Sequence, residues 1–338
     1  MRIVIVGATG NLGTALLRRL HNETTVTGIV GISRRLPNSA VAPYDGVAWH
    51  ALDIGAPSAP RQLARLFAGA DAVIHLAWAL QPNHDEVALW RTNVIGTKNV
   101  LAAVAAARVP QFSYASSVAA YSPGPKTRRV DENWPTGGIP SSHYSRHKAI
   151  NERALDRFEE EHPAIMVSRL RPGFVFQRQA ASEIAGLFAG HLIPLGWLKW
   201  FRPPIVPLPR QFVFQVVHTD DVADAFWRVV DRRASGAFNI AAEPVIDPSV
   251  VASVLRSTWV PIRLRVLRTL AHVTWKLRLQ ASDPGWVDAG AMVPVLSTSR
   301  AHDELGWVPG IASTVALEEI VRGVGEHANV EASPQLRG

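Results

Sequence analysis

The apolar run Ile3-Val4-Ile5-Val6, followed at once by Gly7-Ala8-Thr9-Gly10-Asn11-Leu12-Gly13, limits this chain more than any other feature. A short, continuous apolar run of that kind reads as a strand buried on both faces of a parallel sheet. Glycines directly after it permit positive φ and let a pyrophosphate approach bare backbone. The helix that follows offers unpaired N–H groups and the positive end of its dipole. A glycine triplet alone is weak. Set between a buried strand and the amphipathic stretch Asn11–Leu20, it points to a dinucleotide-binding unit.

The rest of the first half repeats the alternation. Strands are expected at Arg2–Gly7, Val26–Ile32, Val47–Asp53, Asp71–Ala77, Gln111–Ser117 and Ile165–Arg171. Helices are expected at Asn11–Leu20, Gln62–Ala68, Asp85–Arg108 and Tyr144–Glu161, the last with Ile150, Ala154 and Phe158 on one face. Such alternation predicts an α/β fold, a Rossmann-type doubly wound parallel sheet. After Arg171-Pro172-Gly173 the texture changes to a stretch rich in Pro, Trp and Leu, in which regular elements are hard to draw. Asp220–Asp231 then reads as a helix and Gly236–Ala241 as a strand. The expected organisation is a dinucleotide-binding domain at 1–173 and 218–242, a smaller substrate-binding lobe at 174–217 and 243–327, and a frayed tail at 328–338.

Composition removes several function classes. At 338 residues, 47% apolar and 19% charged, the chain can bury a large core. The absence of cysteine excludes disulfide frameworks, thiolate metal sites and thiol nucleophiles, and no metal is called for. The opening apolar run is too short for a signal peptide, and the longest candidate span, Ile184 to Leu198, is interrupted by His191 and Pro194. A cytoplasmic protein is expected. The net charge of +7 comes from scattered arginines rather than a Lys/Arg tract, so no nucleic-acid partner is expected. Ile184–Thr219 and Pro248–Ser282 contain no acidic residue. Chance surface charge explains this equally with a face turned towards an anionic or amphipathic ligand or a membrane surface.

The second strand ends Ser33-Arg34-Arg35, without the carboxylate that usually binds the NAD ribose. Arginine forks suit a 2′-phosphate, so these residues favour NADP, with NAD left open. Tyr144-Ser145-Arg146-His147-Lys148 places a phenol and an ammonium one helical turn apart. A free phenol has a pKa near 10 and is a poor acid or base at neutral pH. A neighbouring ammonium and an oxidised nicotinamide would favour the phenolate. Upstream, at a strand end, stands Tyr114-Ala115-Ser116-Ser117.

Together these motifs resemble the extended short-chain dehydrogenase/reductase family, of the NAD-dependent epimerase/dehydratase type. Further matches are Leu52-Asp53-Ile54, Ile74-His75-Leu76-Ala77-Trp78, Asn93-Val94-Ile95-Gly96-Thr97, Leu170-Arg171-Pro172-Gly173, Val217-His218-Thr219-Asp220-Asp221 and Asp303-Glu304-Leu305-Gly306-Trp307. The resemblance implies Tyr144 as acid/base, Lys148 as the group lowering its pKa, Ser117 on the substrate oxygen, and Asn93 fixing the lysine side. It places the cofactor against Gly7, Thr9, Gly10, Asn11, Leu12, Gly13, Ser33, Arg34, Arg35, Asp53, Ile54, Leu76, Ala77, Trp78, Tyr144, Lys148, Pro172 and Phe174. It also implies a homodimer through the helices Asp85–Arg108 and Tyr144–Glu161. Ser116 and His75 are expected to be structural, and His143, His147 and His218 to be exposed-loop or helix histidines without a chemical role.

Two departures narrow the chemistry. Val118 and Ala119 stand where sugar dehydratases of this family carry an Asp-Glu pair, and neither can exchange protons. Phe214-Gln215 replaces the Arg-Asp with which the nucleotide-sugar enzymes tend to grip diphosphate. Phe188, Leu192, Trp197, Trp200, Phe201, Phe212 and Phe214, interspersed with Lys199, Arg202 and Arg210, are either core or the wall of an apolar pocket. The expectation is an NAD(P)-dependent oxidoreductase transferring hydride to or from a hydrophobic small-molecule alcohol or carbonyl. Alternatives are a nucleotide-sugar epimerase and a non-catalytic NADP sensor or RNA-binding protein. Proteins of the last kind commonly lose the Tyr or Lys that this chain keeps.

Overall fold

The computed structural model describes residues 1–80, 84–181, 203–280 and 282–326. Its strands are β1 (Arg2–Val6), β2 (Gly28–Ser33), β3 (Val47–Ala51), β4 (Ala72–His75), β5 (Gln111–Ala115), β6 (Arg129–Val130), β7 (Met166–Pro172), β8 (Phe174–Phe176), β9 (Ile205–Leu208), β10 (Val216–His218), β11 (Gly236–Ile240), β12 (Thr258–Pro261) and β13 (Val295–Leu296). Seven of them form one parallel sheet in the order β11-β7-β5-β4-β1-β2-β3. The expected doubly wound α/β architecture is present.

The period of two in β1 explains how the sheet seals both faces. Ile3 and Ile5 join one core with Leu16, Leu17 and Leu20 of α1 (Asn11–His21) and Val222, Phe226 and Val230 of the helix Thr219–Asp231. Val4 and Val6 join the other. There they meet Leu63 and Phe67 of α2 (Ala59–Phe67), Val100 and Val104 of α4 (Gly96–Ala107), and Leu155 and Phe158 of α5 (His143–Glu161). Because β4 lies on one side of β1 and β2 on the other, the strand order reverses at β1. A crevice opens there beyond the carboxyl ends of the strands.

Strand and helix ends differ from the sequence expectation by a few residues, the usual fraying of such boundaries. One difference is larger. Asp85–Arg108, expected as a single helix, is α3 (Glu86–Trp90), a π-helical turn at Arg91–Ile95, and α4. The widened turn lies where Gly96 packs against Ile54, so tightly that a Cβ there would come within 2.7 Å of the Ile54 side chain.

Off the main sheet, β10 pairs with β8, β12 with β9, and β13 with β6. Residues 174–217, hard to draw from sequence, therefore contain β8, β9 and β10. The helices Pro248–Val254, Leu264–Lys276, Gly285–Met292, Ser299–Leu305 and Ser313–Glu326 complete the described chain. Trp307 returns to the first core, and its indole N–H donates to the Asp221 carbonyl at 2.9 Å. No helix among the described residues is long and apolar enough to cross a membrane. The expectations for Phe188, Leu192, Trp197, Lys199, Trp200, Phe201, Arg202 and the tail 328–338 lie outside the described residues.

Candidate active site

A cavity of about 420 Å³ occupies the crevice. One end is the turn after β1. Gly7 has φ of +92°, and a Cβ on it would stand 2.5 Å from the Ala77 backbone nitrogen. A Cβ on Gly13 would stand 2.4 Å from the Gly7 carbonyl oxygen, so these two glycines are demanded by the protein's own packing. Gly10 differs. Its φ is −74°, and a Cβ would meet nothing nearer than 3.6 Å. It keeps the space before α1 clear. That helix begins without a side-chain cap or an acidic residue in its first turn, which suits an anion at its N-terminus.

Thr9, Asn11, Leu12, Ser33, Arg34, Ile54, Leu76, Ala77 and Trp78 continue the lining. Arg34 is exposed and makes no ion pair with any described residue, whereas the Ser33 hydroxyl is spent on the Arg35 carbonyl at 2.6 Å. Three expected contacts fall outside the lining. Arg35 lies in the exposed turn beyond the cavity. The Asp53 carboxylate accepts from the Gly55 N–H and from Arg91 at 2.8 Å. The Asn93 side-chain amide, expected on the lysine side, makes two hydrogen bonds with the Ala79 backbone, at 2.7 and 2.8 Å. In doing so it clips the loop that carries Trp78.

At the other end Ser117, Tyr144 and Lys148 share the cavity with Pro172 and Phe174. Ser117 follows β5 and Tyr144 stands in the first turn of α5, which Ser142 caps through the Ser145 N–H. The phenol ring is edge-on to Trp78, centroids 5.5 Å apart, and tilted against Trp286 at 4.9 Å. Burial raises its pKa above the ordinary value, against the effect of a hydrogen bond from Ser117. The expected depression calls on Lys148 together with an oxidised nicotinamide. In the protein alone the ammonium donates to the Ala115 carbonyl at 2.6 Å and sits 3.6 Å above the Trp78 ring. Burial pulls the lysine pKa down to about 7, with Glu152 opposing.

Glu152, one turn beyond Lys148 on α5, is fully buried. It accepts from Ser116 at 2.5 Å and from Arg171 at 2.8 and 3.0 Å, and pairs with Arg169 at 3.2 Å. Burial alone would raise its pKa, but Arg171, Arg169 and Ser116 more than offset that and hold it charged. Ser116 thus has the structural place expected of it. So has His75, whose Nε2 meets the Thr97 hydroxyl at 3.0 Å and whose pKa burial lowers to about 3.

Of the three histidines expected in exposed loops or helices, His143 and His147 belong to α5 and His218 precedes the helix Thr219–Asp231, and all three are buried. His143 pairs with Asp283 at 2.7 Å. His218 caps the helix Thr219–Asp231 through the Asp220 N–H. His147 lies edge-on to Trp90, and burial lowers its pKa to about 4, with His143 and Arg146 adding to the effect. Trp286, Ala289 and Val293, which also line the cavity, were missed from sequence because they belong to no motif. Among the described residues no group of three or more His, Asp or Glu side chains could hold a metal.

A model of the NAD dependent epimerase/dehydratase family matches residues 3–241. The chain belongs to that family. An uncharacterized protein of Mycobacterium tuberculosis is 26% identical over 96% of this chain. The chain spans about 30% of that mycobacterial relative's length. A sterol-4-alpha-carboxylate 3-dehydrogenase of Saccharomyces cerevisiae is 22% identical over 76% of this chain and 69% of its own. Among solved structures, the UDP-glucose 4-epimerase of Thermus thermophilus in complex with NAD superposes with a TM-score of 0.70. It covers 96% of this chain and 99% of that one at 19% identity, a likeness of fold.

Proposed function

We propose that this family member is an NADP-dependent oxidoreductase that reduces the carbonyl of a hydrophobic small molecule. The observation that carries the reading is the meeting, in one cavity, of the glycine turn with Ser117, Tyr144 and Lys148. The residues suit a dinucleotide: Gly10 leaves a cradle that a side chain would obstruct, and among the described residues Arg34 has no ion-pair partner and the buried Trp78 indole N–H in the wall no hydrogen-bond partner. Gly7 to Gly13 would hold the pyrophosphate, Arg34 the 2′-phosphate, and Trp78 and Lys148 the nicotinamide side. When bound, the dinucleotide supplies a hydride.

This chain's own residues account for the proton. A phenol whose pKa is raised by burial is protonated near neutrality, the form needed to donate to a carbonyl oxygen. Ser117, which lines the cavity with that phenol, would steady the same oxygen as charge develops on it. Trp78, Trp286, Phe174 and Val293 make the walls apolar, which supports a hydrophobic substrate. The yeast relative's sterol substrate is of that character. Gln215 argues against a nucleotide sugar. It is buried and uncharged, and its amide is committed to Leu296 and Glu243.

The test is oxidation of NADPH and NADH against aromatic and sterol-like ketones and UDP-sugars. Tyr144→Phe should cut turnover about 10³-fold while NADPH still binds. Arg34→Ala should raise KM for NADPH and leave that for NADH unchanged. Turnover confined to UDP-sugars, or a Tyr144→Phe variant as active as the parent, overturns the reading.

A further inference from the structure

The helix Leu264–Lys276 buries none of its residues fully. Leu264, Leu267, Ala271, Thr274 and Trp275 form its half-buried side. On the opposite side, the helical period aligns Val266, Leu270, Val273 and the capping residue Leu277 in one stripe. These are 49, 56, 47 and 63% exposed, an unusual density of large apolar side chains in water.

Charge frames the stripe with a single sign. Arg263, Arg265, Lys276 and Arg278 flank it, and none of the four has an ion-pair partner among the described residues. No acidic residue occurs between Pro248 and Ser282. The one paired cation of the helix is Arg268, which meets the buried Asp288 at 3.0 Å on the side facing the protein. At the start of the helix, Arg210, Arg263 and Arg265 converge on an open depression of about 700 Å³ that contains no carboxylate.

We infer that this face docks onto the surface of an anionic lipid bilayer, the apolar stripe entering the headgroup boundary and the arginines meeting lipid phosphates. An apolar face bordered by cations is the physical signature of a helix lying in that interface. A second copy of the chain is a poorer occupant. Two-fold pairing sets the same patch against itself and would bring unpaired cations together with no acid to answer them. Anionic headgroups answer the charge and accept the stripe at once. The helix also packs on Gly285–Met292, which carries Trp286 and Ala289 of the cavity wall. Docking would therefore seat the cavity close to the bilayer. It stands independently of the reaction proposed above.

The experiment is flotation of the whole chain with vesicles of pure phosphatidylcholine and of equimolar phosphatidylcholine and phosphatidylglycerol, at low and high salt. Binding is expected only to the anionic vesicles and weakened by salt. Each cation near such a surface contributes roughly a fivefold factor, so Arg263→Gln with Arg265→Gln should reduce partition roughly 25-fold. Leu270→Glu with Val273→Glu, both at exposed positions, should abolish it. Circular dichroism and dinucleotide binding unchanged from the parent would show each variant folded. Partition equal for both vesicle types, or unchanged in the variants, overturns the inference. So does a dimer in light scattering that Leu270→Glu dissociates, or capture of this face by an acidic protein without vesicle binding.

Discussion

The glycine-turn end of the cavity is set by β1 and α1, which are consecutive in the chain. The Tyr144 end is lined by side chains brought from separate segments: Trp78, Ser117, Tyr144, Lys148 and Trp286. The first end is defined by what cannot be added to it. The second is defined by charge and burial, and it is held by a network one layer behind, where Glu152 gathers Ser116, Arg169 and Arg171. The two ends should therefore fail in different ways.

The sharpest loss is expected behind the Tyr144 end. Glu152→Gln keeps the shape but leaves the Arg171 guanidinium buried without its carboxylate, which should cost about 3–5 kcal/mol in urea unfolding. A loss below about 1 kcal/mol would show that the network does not hold α5 in place. At the turn end, Gly7→Ala forces a left-handed φ and a backbone overlap, and should cost roughly 2–5 kcal/mol. Gly10→Ala should leave stability within about 0.5 kcal/mol but weaken dinucleotide binding about tenfold in titration. Equal stability effects at Gly7 and Gly10 would erase the distinction between packing glycine and ligand glycine.

The remaining expected effect is a pH dependence. His147, with a folded pKa of about 4, and His75, at about 3, stay neutral in the folded chain. The unfolded chain protonates both near the ordinary value of about 6.5. It thus binds more protons below that pH, and stability present above about 6.5 is lost as pH falls towards 4. His147→Phe should reduce this loss by roughly 2 kcal/mol at most, when urea stabilities at about pH 7.5 and about pH 5 are compared. An unaltered loss would mean that His147 is not held neutral.

Legibility from sequence follows the same division. The sheet and the turn could be read because their signals are local: apolar alternation, glycine spacing, and a Tyr and Lys one turn apart. Asp53 and Asn93 were recognised as motif residues, yet their partners, Arg91 and the Ala79 backbone, could not be read from spacing. The π-helical turn at Arg91–Ile95 left no mark because it depends on the approach of Gly96 to Ile54. His143 and His147 look like surface residues of a polar helix start. Asp283, from a distant segment, and Trp90 cover them.

By itself, the sequence determined the strand–turn–helix opening, the doubly wound sheet and the placing of a phenol and an ammonium on one helix face. Each depends on residues within a few positions of one another. Tertiary structure alone decided that burial pushes the phenol's pKa up, that Lys148 donates a hydrogen bond to the Ala115 carbonyl, and that one basic helix keeps its apolar stripe in water. Those outcomes depend on desolvation, and desolvation sums every neighbour that the fold brings near, whatever its distance along the chain.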